Sequence, residues 1–279
     1  MSVKVTIVLS EEHPQFHAAL RRRGMHTLAV RRCDLLDSPV ASHADMQLLA
    51  LEIEVPPYPI AISCKGIYYY RSGSTRQILT GPALEKEYPR DVPYNAVRLG
   101  NNYICNHKMV STVARSHWQK LGCREIAVKQ GYASCSTCVV DERSIITADA
   151  GIARAATAAG LCVLQIRPGF IQIPKYDTGF IGGCSGRTDD AVIFTGKLES
   201  HPDGAQMRSF IKSRDMQIVE LADGPLIDIG THALDLTLFL MNNYDVDYVC
   251  GTSFEKLGHT LDAKHQGQVN YRGEFDTWN

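Results

Sequence analysis

Apolar and polar positions follow a grammar that repeats along this chain. From Ala96 the sequence reads AVRLGNNYICN, two short apolar runs around Leu99-Gly100-Asn101-Asn102. Gly and Asn tolerate the positive φ angles of a tight turn, so the pattern predicts a β-hairpin. Met109, Val110, Val113, Ala114, Trp118 and Leu121 then recur at three- and four-residue spacings, Gly122 sits where a helix would end, and REIAV (124–128) returns as a strand. The predicted unit is hairpin, helix, strand.

The same order recurs from Cys138. CVV, the polar turn Asp141-Glu142-Arg143 and SIIT make a hairpin; Asp149 caps GIARAATAA, Gly160 ends it and CVLQI returns. A further copy runs through AVIFT (191–195), DGAQMRSFIKSR and MQIVEL, and another opens the chain with VTIVL, Ser10, PQFHAALRRRG and HTLAV. The later copies are spaced roughly 45 residues apart, and Val8 to Ile104 leaves room for two units, so one unit between about 45 and 95 is missing or degraded. No single unit can bury both its helix and its sheet, so the units must pack together. The first copy lacks a leading hairpin strand and the last ends in a lone strand, PLIDI, which predicts closure by strand pairing: an α/β fold, a five-unit α/β propeller of pseudo-fivefold symmetry, with hairpins round the axis and helices outside. An open α/β sheet of repeated βα units is the alternative.

The chain of 279 residues is 44% apolar and 21% charged with formal net charge −1, which offers no long-range positive field for nucleic acid or anionic lipid. No apolar run approaches a membrane span and Met1–Ser10 lacks a signal peptide's apolar centre, so the expectation is a cytoplasmic protein. Nine scattered cysteines then read as free thiols rather than a disulfide framework. Cys135-x2-Cys138 with Cys105 and His107 has the residue types of a zinc site, but Cys138 begins an apolar strand and C-x-H is too tight for a second knuckle; no metal and no cofactor are expected. GFIGGCSG lacks the spacing of a dinucleotide or phosphate loop.

Several stretches carry a resemblance. PVASHADMQL (39–48), the run from YPRDVPYNAVRLGNNYICN through VKQGYASCSTCVVDERSIITADAGI, IRPGFIQIP, GFIGGCSG and LIDIG resemble a bacterial family of unknown function assigned to the guanidino-group-modifying (pentein) fold, over Val3–Leu48 and Tyr88–Thr231. The resemblance implies a five-unit α/β propeller over 1–232, the same count as the repeats give. Residues 53–86 depart from it and look like the terminal hairpin of an AlbA-like, Schlafen-type domain. The extension 233–279 also departs; it is expected to begin as a helix and continue loosely ordered.

Enzymes of that fold attack a guanidinium carbon with a cysteine thiolate, move protons with a histidine and hold the planar cation with carboxylates, because guanidinium presents a donor fork that fits carboxylates. The resemblance therefore implies a central pocket for a small guanidinium or amine ligand and a hydrolase or amidinotransferase chemistry. His43 and Asp45, two apart in HAD, fall on one side of an extended segment, and an acid beside a histidine orients its tautomer. Cys135 is the nucleophile candidate by context. Ser10, Asn106 and Asp149 sit at equivalent strand-to-helix junctions, where helix capping accounts for them; Asn106, Asp149 and Lys129, with Gln130, would also line one mouth of the propeller and touch a ligand. Where the fold's enzymes carry their cysteine, near the end of the fifth unit, this chain has LIDIGTH with Thr231 and His232. That favours a second reading, a non-catalytic binding or assembly module. A third is a regulator contacting nucleic acid through Lys65, Arg71 and Arg76 among Tyr68, Tyr69 and Tyr70, a stretch that also reads as a plain hairpin with a Ser-Gly turn. Nothing in the pattern fixes an oligomeric state.

Overall fold

A computed structural model describes residues 6–51, 61–63, 70–72, 75–77 and 79–230. Within them the chain forms a mixed α/β fold of small separate sheets and five α-helices. The first unit is β1 (Thr6–Ser10), α1 (Pro14–Arg22) and β2 (His26–Val30), with the two strands parallel. The second unit, unreadable as a repeat, is present. After the single-turn α2 (Ala44–Gln47), β3 (Leu48–Ala50) pairs antiparallel with β4 (Ala61–Ser63). A hairpin of β5 (Tyr70–Ser72) and β6 (Thr75–Gln77) follows, and β7 (Leu79–Thr80) returns parallel to β4. A hairpin thus stands where the other units place a helix.

The remaining units follow the predicted grammar. In the third, β8 (Val97–Leu99) and β9 (Asn102–Cys105) form the hairpin around Gly100 at φ +49°; α3 (Thr112–Lys120) crosses, and β10 (Arg124–Ala127) lies parallel to β9. The fourth is β11 (Thr137–Asp141), β12 (Ser144–Thr147), α4 (Ala150–Ala158) and β13 (Cys162–Gln165); the fifth is β14 (Ser185–Arg187), β15 (Ala191–Phe194), α5 (Gly204–Lys212) and β16 (Gln217–Glu220). In both, the hairpin is antiparallel and the return parallel. The helices of four units stop at the same kind of residue: Gly24, Gly122 and Gly160 take φ of +78°, +74° and +88°, and Asp215 takes +57° in the fifth. A left-handed residue after the last turn turns the chain back toward the sheet, which is why glycine recurs there.

The units meet through their apolar faces. β3 lies beside β8, β8 beside β11 and β11 beside β14, while α2 touches β1. Trp118 and Tyr103 of the third unit pack with Met46 and Leu51 of the second, Ile126 of the third with Ile145 and Ile152 of the fourth, and Cys138 and Ile146 of the fourth with Phe194 and Met207 of the fifth. Ile7 and Leu9 of the first unit pack against Ile193, Leu221 and Ile229.

PLIDI does not add a strand to the first sheet. Among the described residues β1 pairs only with β2, and the segment makes one isolated bridge, Ile227 to Gln172. Its end is held by Ile229 N–H on Gly183 O and by Ala44 N–H on Gly230 O, so side-chain packing and these two bonds replace the expected strand pairing. No described helix is long and apolar enough to cross a membrane. Thr231, His232 and the extension 233–279 lie outside the described residues, as do Lys65, Tyr68 and Tyr69; β5 and β6 form the hairpin expected there, with Arg71 and Arg76 as register partners.

Candidate active site

The residues around His43 come from four units. His43 precedes α2 in extended conformation, at φ −68° and ψ 128°, and Asp45 lies in the first turn. Both are buried, at 3% and 2% exposure, together with Cys135, Asn95 and Asp228. His43 Nδ1 is 4.0 Å from Asp45 Oδ1 and 3.7 Å from Asp228 Oδ1, so two carboxylates converge on one imidazole nitrogen. The Cys135 thiol donates to Asp45 Oδ2 at 2.5 Å, and the Asn95 amide donates to Cys135 Sγ at 2.9 Å. Asn95 Oδ1 accepts from the N–H groups of Ser134 and Cys135, at 2.7 and 3.2 Å, which fixes the turn bearing the thiol.

Asp228 is clamped by backbone. Phe180 N–H donates to its Oδ2 at 2.9 Å and Gly230 N–H to its Oδ1 at 3.2 Å. The approach requires glycine opposite: a Cβ on Gly183 would stand 1.8 Å from Asp228 Oδ1, and one on Gly230 2.3 Å from His43 Cβ. Burial pushes the Asp228 carboxyl up from its ordinary value, with His43 opposing. Burial, reinforced by the charges of Asp45 and Asp228, pushes the Cys135 thiol well above the ordinary thiol range. Beside the cluster, Tyr132 stacks between Tyr88 and Phe180, and its hydroxyl donates to Asp91 Oδ2 at 2.6 Å.

The structure therefore brings His43, Asp45 and Cys135 together and places the other three candidates apart from them. Lys129 and Asp149 line a shallow surface depression with Gln130 and Arg154. Asn106 is buried, donates to Lys129 O at 2.7 Å and accepts from Lys108 N–H at 3.1 Å, so its amide serves the local turn. The capping expectation holds for Asp149, which accepts Ile152 N–H at 2.7 Å. It fails at the other two positions: Ser111 is the N-cap of α3 and His13 that of α1, because the chain runs several residues past Asn106 and Ser10 before turning helical. Ser10 instead hydrogen-bonds Ser42 across units, at 2.6 Å. Among the described residues no three His, Cys, Asp or Glu side chains are grouped to hold a metal ion, and His107 pairs with Glu125 at 2.6 Å.

Asn95 and Asp228 are the members of the cluster that the sequence reading missed. A signal existed for Asp228: one acid inside the otherwise apolar LIDIG, two positions before a glycine.

Fold and site define a mixed α/β protein with a histidine, two carboxylates and a thiol buried at one point. The sequence model of the Family of unknown function (DUF6873) matches residues 7–232, most of the chain, and the chain belongs to that family. Its span begins at Ile7 in β1 and takes in every residue of the cluster. No curated protein and no solved structure matches the chain.

Proposed function

We propose that the chain is a pentein-like five-unit α/β propeller that binds a small guanidinium or amine ligand at its centre. The ring is supported by the succession of unit contacts: first to second through α2 and β1, then β3 to β8, β8 to β11 and β11 to β14, with the fifth unit packed on the first through Ile229, Ile7 and Leu9. The ligand class rests on one observation, the convergence of the Asp45 and Asp228 carboxylates on His43 at 4.0 and 3.7 Å. Carboxylates directed at one buried point match the donor fork of a guanidinium, and burial strengthens the attraction. His43 is then the group that exchanges a proton with the ligand.

In the hydrolase or amidinotransferase form, Cys135 Sγ bonds to the guanidinium carbon after losing its proton to a neighbouring base. The amine leaves with a proton from His43, and water or an acceptor amine displaces the sulfur. A specific observation favours the non-catalytic binding module instead: the Cys135 thiol donates to Asp45 and is held well above the ordinary thiol range.

Thermal unfolding with arginine, ethylguanidine and butylamine tests the binding. Ligand at a hundred times its dissociation constant adds about 2.7 kcal/mol, so a clear rise in unfolding temperature is expected, lost in Asp228→Asn. No rise with any of the three ends the proposal. Release of amine or ammonia from a bound guanidine, abolished by Cys135→Ser, decides for the enzyme; binding without release decides for the module.

A further inference from the structure

A cleft of about 170 Å³ opens between the start of α4 and the loop 168–181. Its lining is mostly apolar, supplied by Ala148, Ile171, Phe180 and Ile181. The charged and amide side chains in its wall are already engaged. Asp149 accepts from Ile152 N–H and from the Gln130 amide, at 2.7 and 3.1 Å. Arg167 grips Asp203 through Nε and Nη2, at 2.9 and 2.7 Å, and the Thr178 hydroxyl donates to Ile171 O at 3.3 Å. Ser136 differs: it is 3% exposed and its hydroxyl has no hydrogen-bond partner among the described residues.

The geometry points to a second binding site in this cleft, for a small uncharged molecule with an apolar body and one carbonyl or hydroxyl oxygen. Charges already paired with one another have little to offer an ion that must shed its water to enter. An apolar cavity of ~150 Å³ admits benzene, so this one accepts a body of that size. The Ser136 hydroxyl then supplies one directional bond to the ligand oxygen. The site is distinct from the cation site, since none of His43, Asp45, Cys135 and Asp228 lines it. The two are joined through backbone, because Ser136 follows Cys135 and Phe180, which lines the cleft, donates its N–H to Asp228. Occupancy of the cleft therefore bears on the segment that orients Asp228.

Amide chemical shifts of the full chain, titrated with phenol and isobutyramide as neutral probes and with butylammonium and butyrate as charged ones, test the site. Neutral probes are expected to shift Ser136, Ile171 and Gly179 saturably, and the ions to leave them unmoved. Ala148→Leu, which fills the cleft, abolishes the response. Ser136→Ala weakens isobutyramide about tenfold and leaves benzene binding unchanged, which separates a lost hydrogen bond from a damaged wall. Neutral probes that leave these amides unmoved, or shift them equally in Ala148→Leu, overturn the site, and ions binding as tightly as neutral probes overturn the assigned chemistry. Asp228→Asn reads the cation site and Ser136→Ala this one, so either can fail alone.

Discussion

The Cys135 thiol donates to Asp45 Oδ2 at 2.5 Å, across 90 residues of sequence. A thiol donating to a carboxylate is protonated, and burial together with the charges of Asp45 and Asp228 keeps it so. Among the described cysteines, Cys135 is therefore expected to be one of the slowest to react with iodoacetamide near neutral pH, and the exposed Cys162 the fastest. Peptide mass spectrometry over a time course reads the order directly. Cys135 labelled as quickly as Cys162 would show a thiolate where the geometry places a donor.

Gly183 faces the Asp228 carboxylate with no space for a side chain: a Cβ there would lie 1.8 Å from Oδ1 and 2.4 Å from Cγ. Asp228 cannot retreat, because Phe180 N–H and Gly230 N–H hold both its oxygens. Gly183→Ala is expected to cost about 3 kcal/mol, seen as a lower urea midpoint. Gly122→Ala is the comparison, since its Cβ would meet nothing within 4 Å and only φ of +74° opposes it; about 1 kcal/mol is expected. Equal losses at the two sites would mean that the carboxylate is free to move.

Local pattern carried most of the repeat and part of the site. The spacing of Ala114 and Trp118 and the glycine at 122 specify a helix and its end without help from distant residues, and α3 and α4 formed accordingly, with Val110 of the same apolar series left before the N-cap Ser111. The second unit escaped because β3, β4 and β7 are two or three residues long and β5 and β6 occupy the helix position, leaving no helical period to detect. His43, Asp45 and Cys135 were legible by residue type. Asn95 and Asp228 join them only through packing between units far apart in sequence, and nothing local to either residue specifies that meeting.

Trp118 ties the third unit to the second. It is fully buried, stacks on Tyr103 with ring centroids 4.6 Å apart, and donates its indole N–H to Leu51 O at 2.8 Å. Trp118→Ala removes a large ring and leaves that carbonyl unbonded by it, at an expected cost of about 4 kcal/mol. Trp118→Phe keeps much of the packing and loses the hydrogen bond, at roughly 2 kcal/mol. Urea unfolding orders the three proteins, and a Trp118→Phe variant as stable as the parent would show that the Leu51 contact contributes nothing.

Two buried histidines make the fold sensitive to mild acid. His17 Nε2 donates to Ser10 O at 3.0 Å, so Nδ1 carries no proton, and it has no hydrogen-bond partner among the described residues. His201 Nε2 donates to Arg167 O at 3.1 Å, and its Nδ1 accepts Asp203 N–H at 3.0 Å, a bond that protonation would break. Burial lowers both side chains below the ordinary value of 6.5, and His13 moves the same way. Below 6.5 the unfolded chain therefore takes up protons that the folded chain refuses, so stability falls as pH drops from 6.5 toward the folded values and is flat above 6.5. The lowered carboxyls of Glu125 and Asp203 lose their contribution only below 4.5 and 3.8 and stay out of this window. The urea midpoint is expected to fall as the pH is lowered from 6.5 toward the carboxyl range at 4.5, with a shallower fall in the double variant His17→Gln and His201→Gln. A midpoint constant over that range, or a double variant with the parent's slope, would show that these two imidazoles are not the groups that titrate.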